Sequence, residues 1–268
     1  MARTQLDERR YVQAQYADDR NLSTRIRTHE LYIEPSIDYA GWVLDHISWR
    51  GDELTVDVGC GAGAYAAAVQ SRTRCYIAAD LSPGMLRGIT APERVNVDAQ
   101  ALPFAEGSAD VLLANHMIYH LPDQERAVAG FARVLRPGGS LLAATNSAGN
   151  MAEMRELVRE AARRLGIVRD ADPYTPLSFT LENGAALLRR HFAHVERSDH
   201  QAALLFPEAQ PVLDYLATSP EFYLGLLPEA IGVEQAWQLL RELIDERIAR
   251  HGVFRVGKLS VVFRCWND

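Results

Sequence analysis

One segment restricts the fold of this chain more than any other, because it joins a short apolar run to a turn built from glycines. The run ends at Val58, and glycines follow at positions 59, 61 and 63. Glycine removes side chains where a backbone must turn sharply and approach a ligand closely. The spacing Gly59-x-Gly61-x-x-Ala64 also occurs in enzymes that bind NAD, so it predicts a nucleotide-like ligand without choosing one.

Short apolar runs alternate with helical stretches from residue 54 onward. The runs are Leu54–Val58, Cys75–Ala79, Val95–Val97, Val111–Ala114 and Leu141–Thr145, with helical stretches near 64–71, 83–89 and 123–135 and further strands near 195–206 and at Leu259–Phe263. Such alternation is typical of a parallel sheet covered on both faces. We therefore expect a doubly wound α/β fold, with a mostly parallel seven-stranded sheet, an antiparallel last strand and a helical cap.

The remaining segments are expected to surround a single Rossmann-like domain that spans residues 1–268. Residues 1–50 are predicted to form a helical lid, with one helix starting at Pro35-Ser36, and a further helix is expected near 180–192. Insertions over 147–190 and 207–230 are predicted to complete a cap. The lid and cap together are rich in aromatic residues, which suits a small, partly apolar substrate: Tyr11, Tyr16, Tyr32, Tyr174, Phe179, Phe222 and Tyr223.

Charge and composition narrow the function classes. The formal net charge of −7 argues against a nucleic-acid substrate, because neutralising phosphates needs a surplus of basic residues. No apolar run follows the charged N-terminus as in a signal peptide, and none approaches the ~18 residues of a membrane span. Three cysteines without close spacing favour reduced thiols. We expect a cytoplasmic protein that binds neither nucleic acid nor membrane.

Three aspartates lie at or beside the ends of the predicted strands. Asp80 can accept two hydrogen bonds from ribose hydroxyls, or it can cap the helix that opens at Ser82-Pro83. Asp57, just before the glycines, would repel a pyrophosphate and suits a ligand that carries an ammonium and a sulfonium. Asp98 can accept a hydrogen bond from an adenine amino group. Together they predict an adenosine-containing ligand.

In the order and spacing of these motifs the chain resembles the class I S-adenosylmethionine-dependent methyltransferases, in particular a bacterial subgroup with a compact "methyltransferase 11"-like core. The matching segments are Val56–Gly63, Ala79–Leu86, Asp98–Phe104, Asp110–Asp123 and Arg133–Leu142. The resemblance is strong over roughly 54–146 and looser over the last two strands. It implies S-adenosylmethionine as the cofactor.

The resemblance also implies a role for each matching residue. Asp57 and the glycines Gly59, Gly61 and Gly63 would face the methionine portion of the cofactor, and Asp80 would bind its ribose. Leu81 and Met85 would flank the adenine, with Asp98, Ala99 and Gln100 at its edge, and Asn115 would lie beside the sulfonium. These assignments are expectations from the family pattern.

The N-terminal segment from Tyr16 to His29 looks like a leader found in part of the subgroup, where it folds over the cofactor. Arg25 is expected to pair bidentately with the cofactor carboxylate, which a lysine would do less well. Tyr16, Leu22 and Ile26 are expected to dock on the edge of the sheet. The alternative is that Arg25 and His29 form a solvated helix face.

Two histidines, His116 and His120, are the candidate catalytic residues. His116 is the candidate general base for a hydroxyl or amine acceptor. The spacing of four also suits a zinc site on a helix, but no third ligand is nearby, and we expect no metal. Because the sulfonium is already reactive, alignment alone can supply most of the acceleration.

The leading interpretation is methyl transfer from S-adenosylmethionine to O, N or C of a small-molecule metabolite. Three alternatives stay open. They are an intramolecular cyclisation or elimination of the same cofactor, an NAD-binding oxidoreductase, against which Asp57 and Asp98 argue, and a noncatalytic adenosine-binding partner of another protein. The sequence indicates neither the acceptor nor the oligomeric state.

Overall fold

A computed structural model describes residues 20–167, 177–219 and 233–268. It contains eight strands, which are β1 Ile33–Glu34, β2 Leu54–Val58, β3 Cys75–Asp80, β4 Glu93–Asn96, β5 Ala109–Leu113, β6 Leu135–Asn146, β7 His194–Phe206 and β8 Phe254–Trp266. The helices in the described ranges are α1 Arg20–Tyr32, α2 Tyr39–Leu44, α3 Ala66–Gln70, α4 Pro83–Arg87, α5 Gln124–Val134, α6 Ala152–Arg164, α7 Gly184–Leu188, α8 Gln210–Ala217 and α9 Val233–His251. No helix in these ranges is both long enough and apolar enough to cross a bilayer.

The strands form one sheet in the order β1-β7-β8-β6-β5-β2-β3-β4. Strands β2 to β6 are mutually parallel, whereas β8 is antiparallel to both of its neighbours, β6 and β7. Strand β2 lies between β3 and β5, so the chain leaves β2 on one side and returns on the other. At such a switch point the loops beyond the strand ends diverge and open a crevice, which positions a ligand site.

The sheet is covered on both faces by apolar side chains. One face packs around Phe131, Phe179 and Phe263, and the other around Leu44 and Tyr76, all of which are almost fully buried. A third cluster joins helices α6, α8 and α9 to the ends of β7 and β8. The doubly wound class with an antiparallel last strand, predicted from the sequence, is confirmed.

Several predicted boundaries were wrong. The sheet has eight strands instead of seven, because Ile33 and Glu34 lie within the predicted helical lid and pair with Leu204 and Ala203 at the edge. The second N-terminal helix is capped by Asp38, whose carboxylate accepts from Gly41 N, and does not start at Pro35-Ser36. Strand β8 is much longer than predicted, since pairing with two neighbours extends it beyond its apolar centre.

The predicted cap is described only in part. Helices α6 and α7 fall within 147–190 and helix α8 within 207–230, but residues 168–176 and 220–232 lie outside the described ranges, as do Tyr11, Tyr174, Phe222 and Tyr223. The helix predicted over 180–192 is shorter, at Gly184–Leu188. Phe179 is a core residue, 1% exposed, and does not line an acceptor site. The division into lid, core and cap remains a prediction.

Candidate active site

A cavity of about 760 Å³ opens at the carboxyl ends of the parallel strands, beside the switch point of the sheet. This volume lies in the upper part of the ~300–1,000 Å³ range of small-molecule sites. The predicted site residues that line it are Arg25, Asp57, Gly59, Gly61, Asp80, Leu81, Met85, Asp98, Ala99, Gln100, Asn115, His116 and His120. Residues far apart in the sequence therefore share one wall.

The glycine turn is held to strand β3 by its backbone. Gly59 N donates to Ala79 O at 2.8 Å, and Cys60 N donates to the same oxygen. Gly59 has a φ of +69°, and an added Cβ would lie 2.8 Å from the Cβ of Met117. Gly61 has a φ of +55° and lies under Leu22 of helix α1. At both positions a side chain would strain the backbone and fill the cavity.

Gly63 does not line the cavity. Its φ is +84°, and an added Cβ would meet Ile89 at 3.2 Å, beyond the end of helix α4. Its role is therefore in the turn and in the packing of the start of helix α3 against Ile89. The sequence-based expectation that Gly63 faces the ligand is corrected, whereas Gly59 and Gly61 do line the cavity.

Asp80 organises the turn through both carboxylate oxygens. Oδ2 accepts from Gly61 N at 2.9 Å, and Oδ1 accepts from Ser82 N at 2.8 Å. Burial raises the pKa of Asp80, and these N–H donors act against that rise. The helix that follows is capped by Ser82, which accepts from Met85 N, so capping by Asp80 was the wrong alternative. Each oxygen keeps a second lone pair for a ligand hydroxyl.

Asp57 is 2% exposed and accepts a hydrogen bond from the hydroxyl of Tyr76 at 3.0 Å. Burial raises the pKa of Asp57 to about 7, and the Asp80 carboxylate adds to the rise. The ionised form of such a carboxyl group is stabilised when a cation approaches, because the cation compensates for the lost hydration. The residue is therefore equipped to respond to a positively charged ligand.

The far end of the same wall is built from the ends of strands β3 and β4. Leu81 and Met85 line it, and Met85 is almost fully buried. Asp98 caps a single 3₁₀ turn at Ala99–Ala101, since its Oδ1 accepts from the backbone and the side-chain amide of Gln100. Ala99 and Gln100 of that turn line the cavity.

Asn115 follows strand β5 and is buried. Its Oδ1 accepts from Ala144 N at 3.0 Å, which fixes the orientation of the amide. Its Nδ2 is also buried and has no hydrogen-bond partner among the residues that the structure describes. Because an unsatisfied buried N–H is costly, this atom is suited to a ligand that brings an acceptor.

His116 and His120 do not lie on one helical face. His116 has a φ of +55°, in the left-handed region, and His120 ends a short 3₁₀ helix, Ile118–His120. The helical spacing that suggested zinc is therefore absent, and the described residues contain no group of three potential metal ligands. Burial, aided by Lys258, lowers the pKa of His116 to about 3, which makes it a weak base.

Sequence reasoning missed Lys258, which lies on strand β8 and lines the cavity. Its Nζ is 3.4 Å from His29 Nδ1 and 5.6 Å from the centre of the Tyr39 ring, and the Tyr39 hydroxyl is 3.3 Å from His116 Nε2. Burial lowers the pKa of Lys258 to about 8. One signal was available, because Lys258 is the only lysine in the chain, beside 27 arginines.

Helix α1 covers the cavity from the side of helix α8. Arg25 donates to Ser219 Oγ at 3.2 Å, and His29 stacks on Tyr215 with ring centroids 5.8 Å apart. The solvated helix face was therefore the wrong alternative, since both residues line the cavity. Tyr16 lies outside the described residues. Its contact with the cofactor, and that of Arg25, remain predictions.

A family model described as a methyltransferase domain matches residues 56–143, from the middle of strand β2 into strand β6. The matched segment contains the glycine turn, Asp80, Asp98 and Asn115, which are among the residues that line the cavity. The chain carries a class I S-adenosylmethionine-dependent methyltransferase domain. The resemblance recognised in the sequence is confirmed.

Two curated relatives resemble the chain over part of its length. A protein named uncharacterized methyltransferase, from Mycobacterium sp. (strain JLS), is 29% identical over 63% of this chain and 62% of its own length. A malonyl-[acyl-carrier protein] O-methyltransferase from Xylella fastidiosa (strain M23) is 30% identical over 56% of this chain and 51% of its own. The chain thus spans between half and two thirds of the length of these relatives.

A solved structure shares the fold over nearly the whole chain. It is phosphoethanolamine N-methyltransferase 2 from Haemonchus contortus in complex with phosphomonomethylethanolamine and S-adenosylhomocysteine. The match has a TM-score of 0.54 and 15% identity, and covers 94% of this chain and 59% of that one. At this identity the likeness supports the methyltransferase fold alone.

Proposed function

We propose that this protein transfers a methyl group from S-adenosylmethionine to an oxygen, nitrogen or carbon atom of a small-molecule acceptor. The observation that carries the proposal is the shared cavity wall of the methyltransferase domain. There Asp57 and Asp80 lie beside the glycine turn and Asp98 lies at the far end of the wall, each at or beside the end of a parallel strand. The similarity to an O-methyltransferase from Xylella fastidiosa favours an oxygen atom as the acceptor.

The residues present fit the cofactor. Asp80 would hold the ribose hydroxyls through its remaining lone pairs, and the Asp98–Gln100 turn would contact the adenine edge. The bare backbone at Gly59 and Gly61 would accommodate the methionine portion, with Asp57 facing its ammonium. When bound, the cofactor would supply a methyl group attached to a sulfonium sulfur, and transfer of that methyl group would convert the sulfonium into a neutral thioether.

The chain's own contribution is mainly alignment and exclusion of water. Helix α1 lies over the turn through Leu22, and His29 packs on Tyr215, so the cavity is covered from outside the sheet. His116 is a poor proton acceptor at a pKa of about 3, which supports positioning over general-base catalysis. Its contact with Tyr39 supports a role in shaping the acceptor end of the cavity.

The test begins with calorimetry of S-adenosylhomocysteine binding to the full chain. We expect binding that is weakened by about ten- to hundredfold in Asp80→Ala, whereas binding of NAD without S-adenosylhomocysteine would overturn the proposal. Incubation with methyl-labelled S-adenosylmethionine and fractionated small metabolites should then give a labelled product that depends on the acceptor. Acceptor-independent loss of the aminobutyrate portion would instead identify cyclisation or elimination, and cofactor binding without any turnover would identify a noncatalytic binding protein.

The compartment is also part of the proposal. Cys60, Cys75 and Cys265 are all free thiols, and two of them are buried. Free thiols are typical of a reducing compartment, so they favour the cytoplasm. Thiol titration of the protein purified under nitrogen should find three thiols per chain, and a disulfide between copies would contradict the assignment.

A further inference from the structure

The cavity carries charges of opposite sign on its two sides. The acidic half consists of Asp57, Asp80 and Asp98 at the strand ends. The basic half consists of Arg25 and His29 from helix α1, His116 and His120 after strand β5, Arg155 from helix α6, and Lys258 from strand β8. Arg155 donates to the carbonyl oxygens of Asn150 and Ala148. The remaining acids of the wall, Glu30 and Asp38, are exposed, and Asp38 caps helix α2. The proposed cofactor accounts for the acidic half and for Arg25 only.

Lys258 has no carboxylate partner among the described residues. The groups that face it are His29, Tyr39, His116 and His200, and none of them carries a negative charge at neutral pH. Burial alone lowers the pKa of Lys258, while Lys258 in turn lowers the pKa values of the three histidines. A mostly protonated ammonium is thus held in the wall without compensation, which is costly unless a ligand supplies the anion.

The hydrogen bonds of His29 point to the same kind of ligand. Lysine only donates, so the 3.4 Å contact from Lys258 Nζ requires an unprotonated His29 Nδ1. Because burial keeps the pKa of His29 well below its usual value, the ring is neutral and carries its proton on Nε2. That Nε2 is buried and has no partner among the described residues, as is also true of Asn115 Nδ2. Both orphaned atoms are donors.

We propose that the methyl acceptor is an organic carboxylate, anchored in the basic half by the Lys258 ammonium. The geometry supplies an ammonium without a counter-charge, which matches a carboxylate. The His29 Nε2–H points away from Lys258 and suits a second hydrogen-bond acceptor on the same ligand. Tyr39 and Tyr215 flank this anchor and suit an apolar body on the acceptor. The inference rests on the proposed function, because it names the class of acceptor for that reaction.

The single lysine makes a direct measurement possible. Protein labelled with ¹³C at lysine Cε gives one side-chain resonance, whose titration reports the pKa of Lys258 in the S-adenosylhomocysteine-loaded full chain. Benzoate and its neutral isostere benzamide serve as probes of the anchor. We expect benzoate to shift the resonance and to raise the pKa of Lys258 by about one unit, and benzamide to do neither.

Matched variants separate the anchor from the fold. Lys258→Met should weaken benzoate binding about ten- to hundredfold and leave S-adenosylhomocysteine affinity unchanged, while Lys258→Arg should retain part of the benzoate affinity. Arg255→Met removes an exposed charge from the same strand and should change neither. His29→Phe keeps the ring stack on Tyr215 but removes Nδ1, the acceptor that orients the Lys258 ammonium, and should weaken benzoate binding while S-adenosylhomocysteine affinity stays unchanged.

Two results would overturn the inference and leave the proposed function standing. One is an equal response to benzoate and benzamide, or to neither. The other is a rise in the pKa of Lys258 with S-adenosylhomocysteine alone, together with loss of its affinity in Lys258→Met, because the cluster would then bind the cofactor carboxylate. Failure of the proposed function is distinct, since S-adenosylhomocysteine would not bind the wild-type protein at all.

Discussion

The acidic and basic halves of the cavity differ in how they are built. The acidic half comes from consecutive strand ends. Asp80 accepts from the backbone of Gly61 and Ser82, Asp98 from the backbone of Gln100, and Asp57 from the Tyr76 hydroxyl. The basic half joins residues separated by more than 200 positions, as in the contact between His29 and Lys258. The first half is a fixed cradle with its hydrogen bonds already made, whereas in the second the His29 Nε2–H has no partner among the residues that the structure describes. Under the proposed function, the rigid acidic half suits a cofactor that many enzymes share. The basic half, with its unpartnered donor, suits an acceptor that is particular to this protein.

The sharpest test of the cradle is Gly61→Val, for which we expect the largest effect. A β-branched residue at a φ of +55° costs about 1–3 kcal/mol of folding stability and crowds Leu22. Calorimetry should detect no S-adenosylhomocysteine binding, although circular dichroism should show a folded protein. Gly130→Val is the matched control, because an added Cβ there meets nothing within 4 Å. Normal binding by Gly61→Val would mean that the turn does not hold the cofactor.

Asp80→Ala should have the next largest effect. It removes the acceptor for ribose and the anchor of the Gly61 N–H, so the free energy of S-adenosylhomocysteine binding should weaken by about 1.5–3 kcal/mol. Asp80→Asn keeps one oxygen acceptor and should lose less. If Asp80→Ala binds S-adenosylhomocysteine with wild-type affinity, the carboxylate only stabilises the loop. The substitution would then lower the unfolding temperature alone.

A third test uses the pKa of Asp57, which burial raises to about 7. A bound ammonium favours the ionised carboxylate, so binding releases a proton below this pKa and affinity falls as the pH drops. Between about pH 8 and about pH 6 the loss should approach tenfold, or about 1.4 kcal/mol. Asp57→Asn should make the affinity independent of pH over this range. A wild-type affinity that is flat across the range would place the ammonium away from Asp57.

The smallest effect is expected at the boundary between the halves, where Arg25 lies. Arg25→Ala should weaken S-adenosylhomocysteine binding by about 0.5–1.5 kcal/mol, because the guanidinium is partly exposed and already bonds Ser219. Trypsin cleavage after Arg25 and Arg27 should also slow when S-adenosylhomocysteine is added. Equal cleavage with and without it, in wild type, would remove helix α1 from the cofactor site.

The sequence predicted the acidic half because its signals are local. A glycine turn after an apolar run, and a carboxylate at the end of the next strand, occupy fixed positions in every sheet of this type. The strand at Leu54–Val58 was placed without error for the same reason. The geometry of His116 and His120 was not predictable, since a left-handed backbone at a non-glycine residue is set by the surrounding structure.

The sequence by itself therefore determined the class of fold, the order of its elements and the residues that meet at the ends of strands β2, β3 and β4. Only the tertiary structure decided the rest. It added strand β1 at the edge, brought Lys258 to His29, and placed Gly63 against Ile89, outside the cavity wall. The physical reason is range: periodicity and turn chemistry act over a few residues, whereas burial of a charge depends on segments that meet only when the chain has folded.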